Sequence, residues 1–347
     1  MKKPVLGKMI TLLVIVILFA TYCNAASDIK DTRPLWGVAV EGLNINENQL
    51  KDFETETGAK PKIVVFYIQW PFSYLQEEVF LPDDSIEAIK RYGAVPCITW
   101  EPMYILNGKE FMISSNSILS GKYDAYIDSF AASIGKLDIP VMVRFAHEMN
   151  INRYHWGTDK NGYGPDSPKI YRKMFGYVVS RFKKANIKNA VWIFCPNAES
   201  IPNESCDSSA VWNRAANYYP GNDVVDIIGM DGYNWGTACT QKQQGWCSSW
   251  KSFHDIFKNL FEELKIIAPG KPVVVFETAS VSDGGDKTQW ISNALDTARQ
   301  WGITGIVWFQ IKKKMDWRIN AHHDKKRAII IHDKTSYSQE FLRSPAR

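Results

Sequence analysis

The stretch VMVRFAHEMN, residues 141–150, joins an apolar run to a polar end. Its first three residues are apolar in succession, which is typical of a strand covered on both faces, as in a parallel sheet. His147, Glu148 and Asn150 follow where the strand should end. Because parallel sheets carry their functional groups at the carboxyl ends of the strands, this stretch predicts a buried strand that ends in a functional site.

Seven further stretches share this pattern of a short apolar run bounded by Gly, Pro or Asn. Segments of helical period, such as PKIYRKMFGYVVSRFKKAN and SWKSFHDIFKNLFEEL, lie between most of them. Eight strands with intervening helices predict an α/β fold, a single-domain (β/α)8 TIM barrel. A doubly wound sheet is the alternative, but it normally has a G-x-G-x-x-G turn after its first strand, and none follows here. The seven stretches are 35–42, 62–70, 95–102, 189–197, 224–234, 271–280 and 302–311.

The N-terminal segment is typical of a secretory signal. Basic residues precede the apolar run MITLLVIVILFA, which ends at small residues in TYCNAAS. A run of about a dozen residues is short for a membrane span. We therefore predict a signal over 1–26, one barrel domain over 27–347, and a secreted, periplasmic or cell-surface location. Membrane attachment would follow only if Cys23 were lipidated, and Tyr22 before it is bulky for a lipidation motif.

Charge argues against a polyanionic partner, and the cysteines suggest one disulfide. The chain carries +4 at pH 7, and removal of the three lysines of the signal lowers this to +1. A nearly neutral protein has no electrostatic basis for binding nucleic acid. We also expect the protein to be a monomer.

Cys239 and Cys247 flank the polar loop CTQKQQGWC, which favours a disulfide between them, with Cys206 as an alternative partner.

Carboxylate, amide and aromatic side chains gather where the predicted strands end. In a barrel these ends share one rim, and a carbohydrate site needs such a mixture, because indoles cover the apolar faces of sugars while polar groups bind the hydroxyls. The rim residues are Trp70, Trp100, Glu101, His147, Glu148, Asn150, Asn197, Asp231, Tyr233, Asn234, Trp235, Glu277, Trp308 and Gln310.

A zinc site at His147-Glu148 is inconsistent with the spacing of the histidines. A zinc-hydrolase helix needs H-E-x-x-H, with both histidines on one helical face. The position of the second histidine is Ile151, and the preceding segment is a predicted strand. The sequence therefore predicts no metal site.

A second glutamate suggests a different chemistry. A lone glutamate at a strand end often only caps the strand or forms a salt bridge, but Glu277 ends the seventh strand as Glu148 ends the fourth. Those strands face each other across a barrel mouth, and retaining glycosidases use two carboxyl groups about 5 Å apart. Arg144 and Tyr233 could keep Glu277 ionised as nucleophile. Glu148 would be the proton donor, since a neighbouring carboxylate raises its pKa.

Several segments resemble glycoside hydrolase family 26, the family of β-mannanases, in the same order. They are VRFAHEMN, YYPGNDVVDIIGMDGYNWG, KPVVVFETAS and GGDKTQWI, and the resemblance runs from about residue 36 to 319. It implies a (β/α)8 barrel and a retaining double displacement on a β-linked polysaccharide, without a cofactor. It also implies that Glu148 is the acid/base and Glu277 the nucleophile. Arg144 and His147 would then frame the acid/base, and Tyr233 would contact the nucleophile. Trp156 and Trp308 would line the sugar subsites.

Two departures from the family pattern bear on the substrate. Ile151 replaces a Gly and Arg153 replaces a Trp after the acid/base, so one subsite should differ. After the third strand, ITWEPMY replaces a histidine-bearing segment of mannanases and looks like the mixed-linkage β-glucanases of the family. We expect Trp100 and Glu101 there to bind the sugar, with Glu101 accepting bonds from equatorial hydroxyls. The alternative for Glu101 is a salt bridge.

These observations favour a secreted endo-β-glycanase acting on β-mannan, mixed-linkage β-glucan or a microbial exopolysaccharide. A non-catalytic polysaccharide-binding barrel is an alternative from a different class. A third interpretation, an interaction protein with a basic tail, depends on the lysine-rich runs at 312–314 and 324–327, and such runs are usually solvated loops.

Overall fold

The computed structural model describes residues 34–75, 81–154, 156 and 162–319. The predicted signal over 1–26, including Cys23, lies outside the described residues. Within the described part of the chain, no helix is long and apolar enough to cross a bilayer.

Eight parallel strands close into a barrel. Each lies inside one of the eight predicted stretches, so the predicted (β/α)8 fold is confirmed. The predicted stretches extend up to five residues beyond the strands, because the polar residues at their ends belong to loops. The strands are β1 Leu35–Ala39, β2 Ile63–Gln69, β3 Val95–Glu101, β6 Val141–Phe145, β7 Ala190–Phe194, β8 Ile227–Asn234, β9 Val273–Ser280 and β10 Gly305–Phe309. Around the barrel they are neighbours in the order β1-β10-β9-β8-β7-β6-β3-β2.

Helices connect successive barrel strands and cover the outside of the sheet. In α8, for example, Ser252 and Asp255 form a capping box, and the buried residues Phe253, Phe257, Leu260 and Leu264 recur at helical spacing. The helices are α1 Glu47–Thr57, α2 Asp83–Tyr92, α3 Ser115–Leu119, α4 Asp124–Gly135, α5 Ser167–Lys184, α6 Ala215–Tyr218, α7 Gln241–Gln244, α8 Phe253–Ile267 and α9 Lys287–Trp301. A 3₁₀ helix spans Ser208–Asn213.

A short antiparallel hairpin, which the sequence did not predict, follows β3. It consists of β4 Met103–Leu106 and β5 Lys109–Met112, paired as a separate two-stranded sheet. Asn107 and Gly108 form its two-residue turn, both with positive φ (52° and 73°). That combination is typical of the type I′ turn, in which Asn-Gly is the preferred pair.

The register of the barrel strands decides which side chains share a layer inside it. Tyr67 pairs with Thr99, and Thr99 pairs with Arg144, so these three side chains point inward at one level. Gln69 pairs with Glu101 one layer nearer the mouth. Because side chains alternate between faces along a strand, the residues between them point outward to the helices.

A β-bulge in β9 re-aims the side chains near the middle of that strand. Val275 pairs with Met230, but the next pair along β8 is Asp231 with Glu277, so Phe276 is the extra residue. Glu277 is thereby brought to the inward face beside Asp231. The Phe276 ring also fits inside the barrel because Gly229 has no side chain. A Cβ at Gly229 would lie only 3.0 Å from that ring.

The predicted Cys239–Cys247 disulfide is absent from this structure. Cys239 is buried, Cys247 is exposed, and both are free thiols, as is Cys206. Hydrogen bonds close the loop instead: the Cys239 N–H donates to Ser248 Oγ (3.0 Å), and the Ser248 N–H donates to the Cys239 carbonyl (3.1 Å). The two cysteine side chains therefore differ in direction, one inward and one outward.

Candidate active site

Arg144 is the central cation of the barrel mouth. It extends inward from β6, is fully buried, and donates from Nη1 to Asp231 Oδ2 (2.6 Å) and from Nη2 to Glu277 Oε1. Its Nε and Nη2 also donate to Thr99 Oγ1 (3.0 and 2.7 Å). Burial opposes the charge of the guanidinium, but the two carboxylates raise the pKa of Arg144 well above its usual value. This buried cation therefore stays charged.

Glu277 is surrounded by donors. Tyr67 donates its hydroxyl hydrogen to Oε1 (2.7 Å), and Tyr233 donates to Oε2. Burial by itself would raise the pKa of Glu277, but Arg144 and Tyr233 outweigh it and lower that pKa to about 2. Burial raises the pKa of both tyrosines well above the usual value, so they remain donors. Glu277 is consequently a carboxylate with fixed orientation.

Glu148 lies in the loop after β6, in a left-handed backbone conformation with φ of 52°. Its N–H donates to the Cys195 carbonyl (2.7 Å), and its Oε1 accepts from Asn197 Nδ2 (2.7 Å). Burial and the charge of Glu277 raise the pKa of Glu148 to about 7, although Asn197 opposes this shift. The carboxyl group is thus able to carry a proton near neutral pH.

Asn150 positions the partner of Glu148. Its Oδ1 accepts from the Asn197 N–H (2.8 Å), and its Nδ2 donates to the Asn197 carbonyl (2.9 Å). This double clamp holds the Asn197 backbone, and with it the side-chain amide that contacts Glu148. The sequence placed both asparagines on the rim without assigning them this role.

His147, Tyr154 and Trp156 form one side of the site. The His147 and Tyr154 rings lie 4.8 Å apart, and Tyr154 stacks on Trp156 at 5.0 Å. Burial and the charge of Arg144 lower the pKa of His147 well below its usual value, so it is neutral. Trp156 is 1% exposed and donates from Nε1 to the His147 carbonyl (2.5 Å). It therefore links the ring stack to the backbone beside Glu148, and its predicted role in lining a sugar subsite stays a prediction.

Glu101 joins the same mouth from β3. It is 3% exposed and accepts from Gln69 Nε2 (2.5 Å), and it forms no salt bridge with any residue that the structure describes. Burial raises the pKa of Glu101 to about 7, although Gln69 and Arg144 oppose the shift. The salt-bridge alternative thus finds no support in the described contacts, and the group is available to a hydroxyl.

The predicted sugar contacts of Trp100 and Trp308 are wrong in this structure. Trp100 stacks on Phe130 of α4 (4.1 Å) and donates to the Tyr126 hydroxyl (3.1 Å), on the helix side of β3. Trp308 stacks on Trp36 and is fully buried. Both positions follow from the alternation of side chains along a strand. Thr99 and Glu101 point inward on either side of Trp100 in β3, and Phe309 faces the mouth next to Trp308 in β10.

Other residues at the mouth escaped prediction. The Phe309 ring lies 5.5 Å from that of Tyr233, and the Lys313 ammonium lies 5.8 Å above the Tyr67 ring. Tyr67 lies two residues before Gln69 on β2, so the two side chains point to the same face of the strand. This spacing was a signal in the sequence that Tyr67 faces inward. Tyr154 carried no comparable signal, because it lies in a loop.

Three metal-ligand types also meet here, since atoms of His147, Asp231 and Glu277 lie within 4.8 Å of one another. Both carboxylates, however, already accept hydrogen bonds from Arg144. A metal ion would have to compete with a guanidinium cation for the same oxygens. These contacts therefore fit two carboxylates held by one arginine better than a metal centre.

Comparison with known proteins agrees with this arrangement. A family profile described as Glycosyl hydrolase family 26 matches residues 99–268, which include Glu101, Arg144, Glu148 and Asp231. Endoglucanase H of Acetivibrio thermocellus is 30% identical over 286 residues, which are 81% of this chain and 28% of that protein. The chain belongs to glycosyl hydrolase family 26. The resemblance predicted from the sequence is thus confirmed.

A second curated protein is also similar to part of this chain. A mannan endo-1,4-beta-mannosidase of Bacillus subtilis is 24% identical over 138 residues, covering 37% of this chain and 34% of that protein. The matches therefore span about a third or less of the length of these two curated relatives.

Solved structures show the same fold. The Bacillus subtilis mannanase BCman aligns with a TM-score of 0.60 at 16% identity, over 88% of this chain and 86% of that chain. The GH26 endo-beta-1,4-mannanase domain of Bacillus sp. JAMB-750 aligns with a TM-score of 0.58 at 18% identity, over 83% and 80%. At such identities the likeness supports the (β/α)8 fold.

Proposed function

We propose that this chain is a retaining endo-β-glycanase in which Glu277 is the nucleophile and Glu148 the general acid/base. Membership of family 26 supports a glycosidase. The observation that carries the assignment is the contrast between the two carboxyl groups: Arg144, Tyr67 and Tyr233 donate to Glu277, whereas an amide donates to Glu148. These surroundings lower the pKa of Glu277 to about 2, while burial and the charge of Glu277 raise that of Glu148 to about 7. A retaining glycosidase begins its reaction with one carboxyl ionised and the other protonated.

In the first step, an oxygen of Glu277 attacks the anomeric carbon of the sugar. The bond from that carbon to the glycosidic oxygen breaks, and Glu148 gives its proton to the departing oxygen. Arg144, Tyr67 and Tyr233 hold the attacking carboxylate in one orientation. The product is a glycosyl ester of Glu277.

In the second step, Glu148 acts as a base, because it has lost its proton. It takes a proton from water while the water oxygen attacks the anomeric carbon, and the ester bond to Glu277 breaks. Both carboxyl groups return to their starting states. Two displacements at the same carbon leave its configuration unchanged.

Among substrates, we favour a β-glucan over a mannan. The relative named endoglucanase is similar over 81% of the chain, whereas the relative named mannosidase is similar over 37%. Glu101 and Gln69 add an acceptor and an amide at the mouth, where equatorial hydroxyls of glucose could bind. A mannan or a microbial exopolysaccharide are the other candidates.

A substrate panel tests this proposal. Purified protein is incubated with barley β-glucan, lichenan, mannan and glucomannan, and reducing ends are measured. We expect the fastest release from the glucans. Fastest release from mannan would overturn the glucan preference, and release from none of them would overturn the endo-glycanase proposal for these polymers.

Two measurements separate catalysis from binding. NMR of early products should show the β-anomer first, and the α-anomer would exclude the retaining mechanism. Glu277→Ala should abolish turnover while polymer binding persists. If wild type and variant bind equally and neither hydrolyses any polymer, the chain is a polysaccharide-binding barrel instead.

We also propose that the protein acts as an exported monomer without a metal. Export rests on the predicted signal over 1–26 and the metal-free site on the Arg144 pairs. Sedimentation at micromolar concentration should give the mass of one chain, and dialysis against a chelator should leave activity unchanged. Cleavage of the signal can be read from the N-terminus of the mature protein.

A further inference from the structure

Exposed apolar side chains concentrate in two short segments, which meet where Phe72 contacts Tyr104. Of the ten large apolar side chains that are exposed in the described residues, six lie in two short segments, 72–75 and 105–111. The six are Phe72, Tyr74, Leu75, Ile105, Leu106 and Phe111. Because soluble proteins rarely expose contiguous apolar surface without a binding role, this concentration points to a binding surface.

Three aromatic rings form the centre of this surface. Tyr104 stacks on Phe111, with centroids 5.2 Å apart and planes 10° apart, and Phe72 meets Tyr104 edge-on at 5.0 Å. Phe72 is 62% exposed and Phe111 is 40% exposed. We call Phe72, Tyr104 and Phe111 the aromatic platform.

Two of the three rings of the aromatic platform are held by a closed hairpin. Tyr104 and Phe111 are cross-strand partners in the β4–β5 hairpin, which the Asn107-Gly108 turn closes. At its base, the Trp70 N–H donates to the Met103 carbonyl (2.9 Å). Rings that are ordered before binding lose little entropy when a ligand arrives.

The hairpin also adjoins the proposed active site. Met103 follows Glu101 by two residues, so the hairpin leaves the same rim of the barrel that carries Glu101. On its other side, Glu110 forms an ion pair with Arg153 (3.0 Å). The Arg153 guanidinium lies 4.8 Å over the ring of Tyr154, which contacts His147. The hairpin is thus braced against the loop that carries the acid/base.

We propose that the aromatic platform binds sugar units of the polysaccharide chain that lie outside the cleavage site. This proposal rests on the proposed glycanase function. A polymer threaded through the mouth must continue past it, and the C–H faces of neutral β-linked sugars match flat, uncharged rings. Continuity with the mouth favours this occupant over a second copy of the chain or a lipid surface.

Kinetics on long and short substrates test the proposal. The double variant Phe72→Ala/Phe111→Ala is compared with the control Val211→Ala/Ile266→Ala, whose side chains are also exposed but lie elsewhere. For the polymer that wild type hydrolyses best, we expect KM to rise about ten-fold in the platform variant only, the equivalent of losing one to two modest aromatic contacts. For a β-linked trisaccharide, kcat and KM should stay within about two-fold of wild type.

Several outcomes would overturn the proposal. One is an unchanged polymer KM, and another is an equal loss on polymer and trisaccharide. A wild-type dimer that dissociates in the platform variant, with polymer KM unchanged, would assign the surface to a second copy. Loss of sedimentation with phosphatidylcholine vesicles, again with unchanged polymer KM, would assign it to a membrane.

Gel retardation separates this proposal from the glycanase function. Native gels containing each polymer are run with Glu277→Ala, alone and combined with the platform variant. Retardation that disappears only in the combined variant supports the aromatic platform even if wild type hydrolyses nothing. Equal retardation of both proteins overturns it even if wild type is an active glycanase.

Discussion

Glu277 and Glu148 are both buried glutamates of one barrel mouth, yet their surroundings are opposite. Glu277 lies on a strand and accepts hydrogen bonds from a guanidinium and two hydroxyls. Glu148 lies in a loop with left-handed backbone, and among the described residues its carboxyl group accepts a side-chain hydrogen bond from an amide. Burial favours the protonated form of both, so the number and charge of the donors decide which one ionises.

This difference shows how one site can shift the pKa values of two residues of the same type in opposite directions, as the proposed nucleophile and acid require. The donors around Glu277 lower its pKa, and the resulting negative charge then helps to raise the pKa of Glu148. The two shifts are therefore linked: a change that protonates Glu277 also makes Glu148 a stronger acid. Substitutions of either glutamate, or of the residues that donate hydrogen bonds to them, test this difference.

The largest effect should come from removing Glu277, the proposed nucleophile. In Glu277→Ala, we expect kcat on polymer to fall by about four to six orders of magnitude, because the first displacement loses its attacking atom. Added azide should restore turnover of an activated glycoside and give the α-glycosyl azide, since only one displacement then occurs. A β-azide, or activity within ten-fold of wild type, would contradict the role of Glu277.

Removing the acid should cost less and depend on the leaving group. In Glu148→Ala, kcat on polymer should fall by about two to four orders of magnitude, the usual contribution of general acid catalysis. An aryl glycoside with an acidic phenol should lose far less in the first step, because its departure needs no proton. Azide should here give the β-glycosyl azide. Equal losses on both substrates would exclude Glu148 as the proton donor.

Stability should depend on the cation between the carboxylates. Arg144→Met leaves Asp231 and Glu277 buried without their cation, and we expect the free energy of unfolding to fall by about 3–5 kcal/mol. The pKa of Glu277 should also rise, which moves the acidic limb of activity to higher pH. Urea unfolding measures the first effect and a pH profile the second.

The matched control for this substitution is Arg214→Met. Arg214 also pairs with a glutamate, Glu204, but on the surface. It should change the urea midpoint little, because exposed ion pairs contribute little. If both variants lower the midpoint equally, the buried cation has no special role.

The smallest effect concerns the pH limits. In wild type, kcat/KM should fall as the pH drops through about 2, where Glu277 becomes protonated, and as it rises through about 7, where Glu148 loses its proton. Asn197→Ala removes a donor that favours the ionised form of Glu148. The alkaline limb should therefore move to higher pH, with a loss of about two- to ten-fold in kcat/KM.

Glu101 provides the control for this shift, because its pKa is also raised to about 7. Glu101→Gln should leave the alkaline limb in place while raising KM. If the alkaline limb moves in Glu101→Gln and not in Asn197→Ala, that limb reports the ionisation of Glu101, and our assignment of it to Glu148 is wrong.

The sequence allowed the strands and the two glutamates to be predicted because both are local signals. Apolar runs bounded by Gly, Pro or Asn mark buried strands, and carboxyl groups at two such ends indicate a shared rim. Trp100 and Trp308 were misplaced because the same runs do not show which residues face inward near a strand end. In β10, for instance, the pairing with β9 shifts register between Ile306 and Trp308.

Tyr67, Tyr154 and the β4–β5 hairpin were not predicted for a similar reason. Tyr67 donates to a carboxylate 210 residues away, and no short pattern connects the two positions. Tyr154 reaches the site through stacking on Trp156 within a loop. The Asn107-Gly108 turn was a readable hairpin signal, but its flanking strands of four residues each are short.

The sequence by itself thus determined the barrel, through the period of its apolar residues, and the chemical types present at its mouth. Tertiary structure decided the surroundings that lower the pKa of one glutamate and raise that of the other. The physical reason is range: backbone period acts between neighbours in the chain, whereas a pKa depends on burial and on charges within a few ångströms in space. Arg144, Glu148, Asn197 and Glu277 become such neighbours only when the eight strands close.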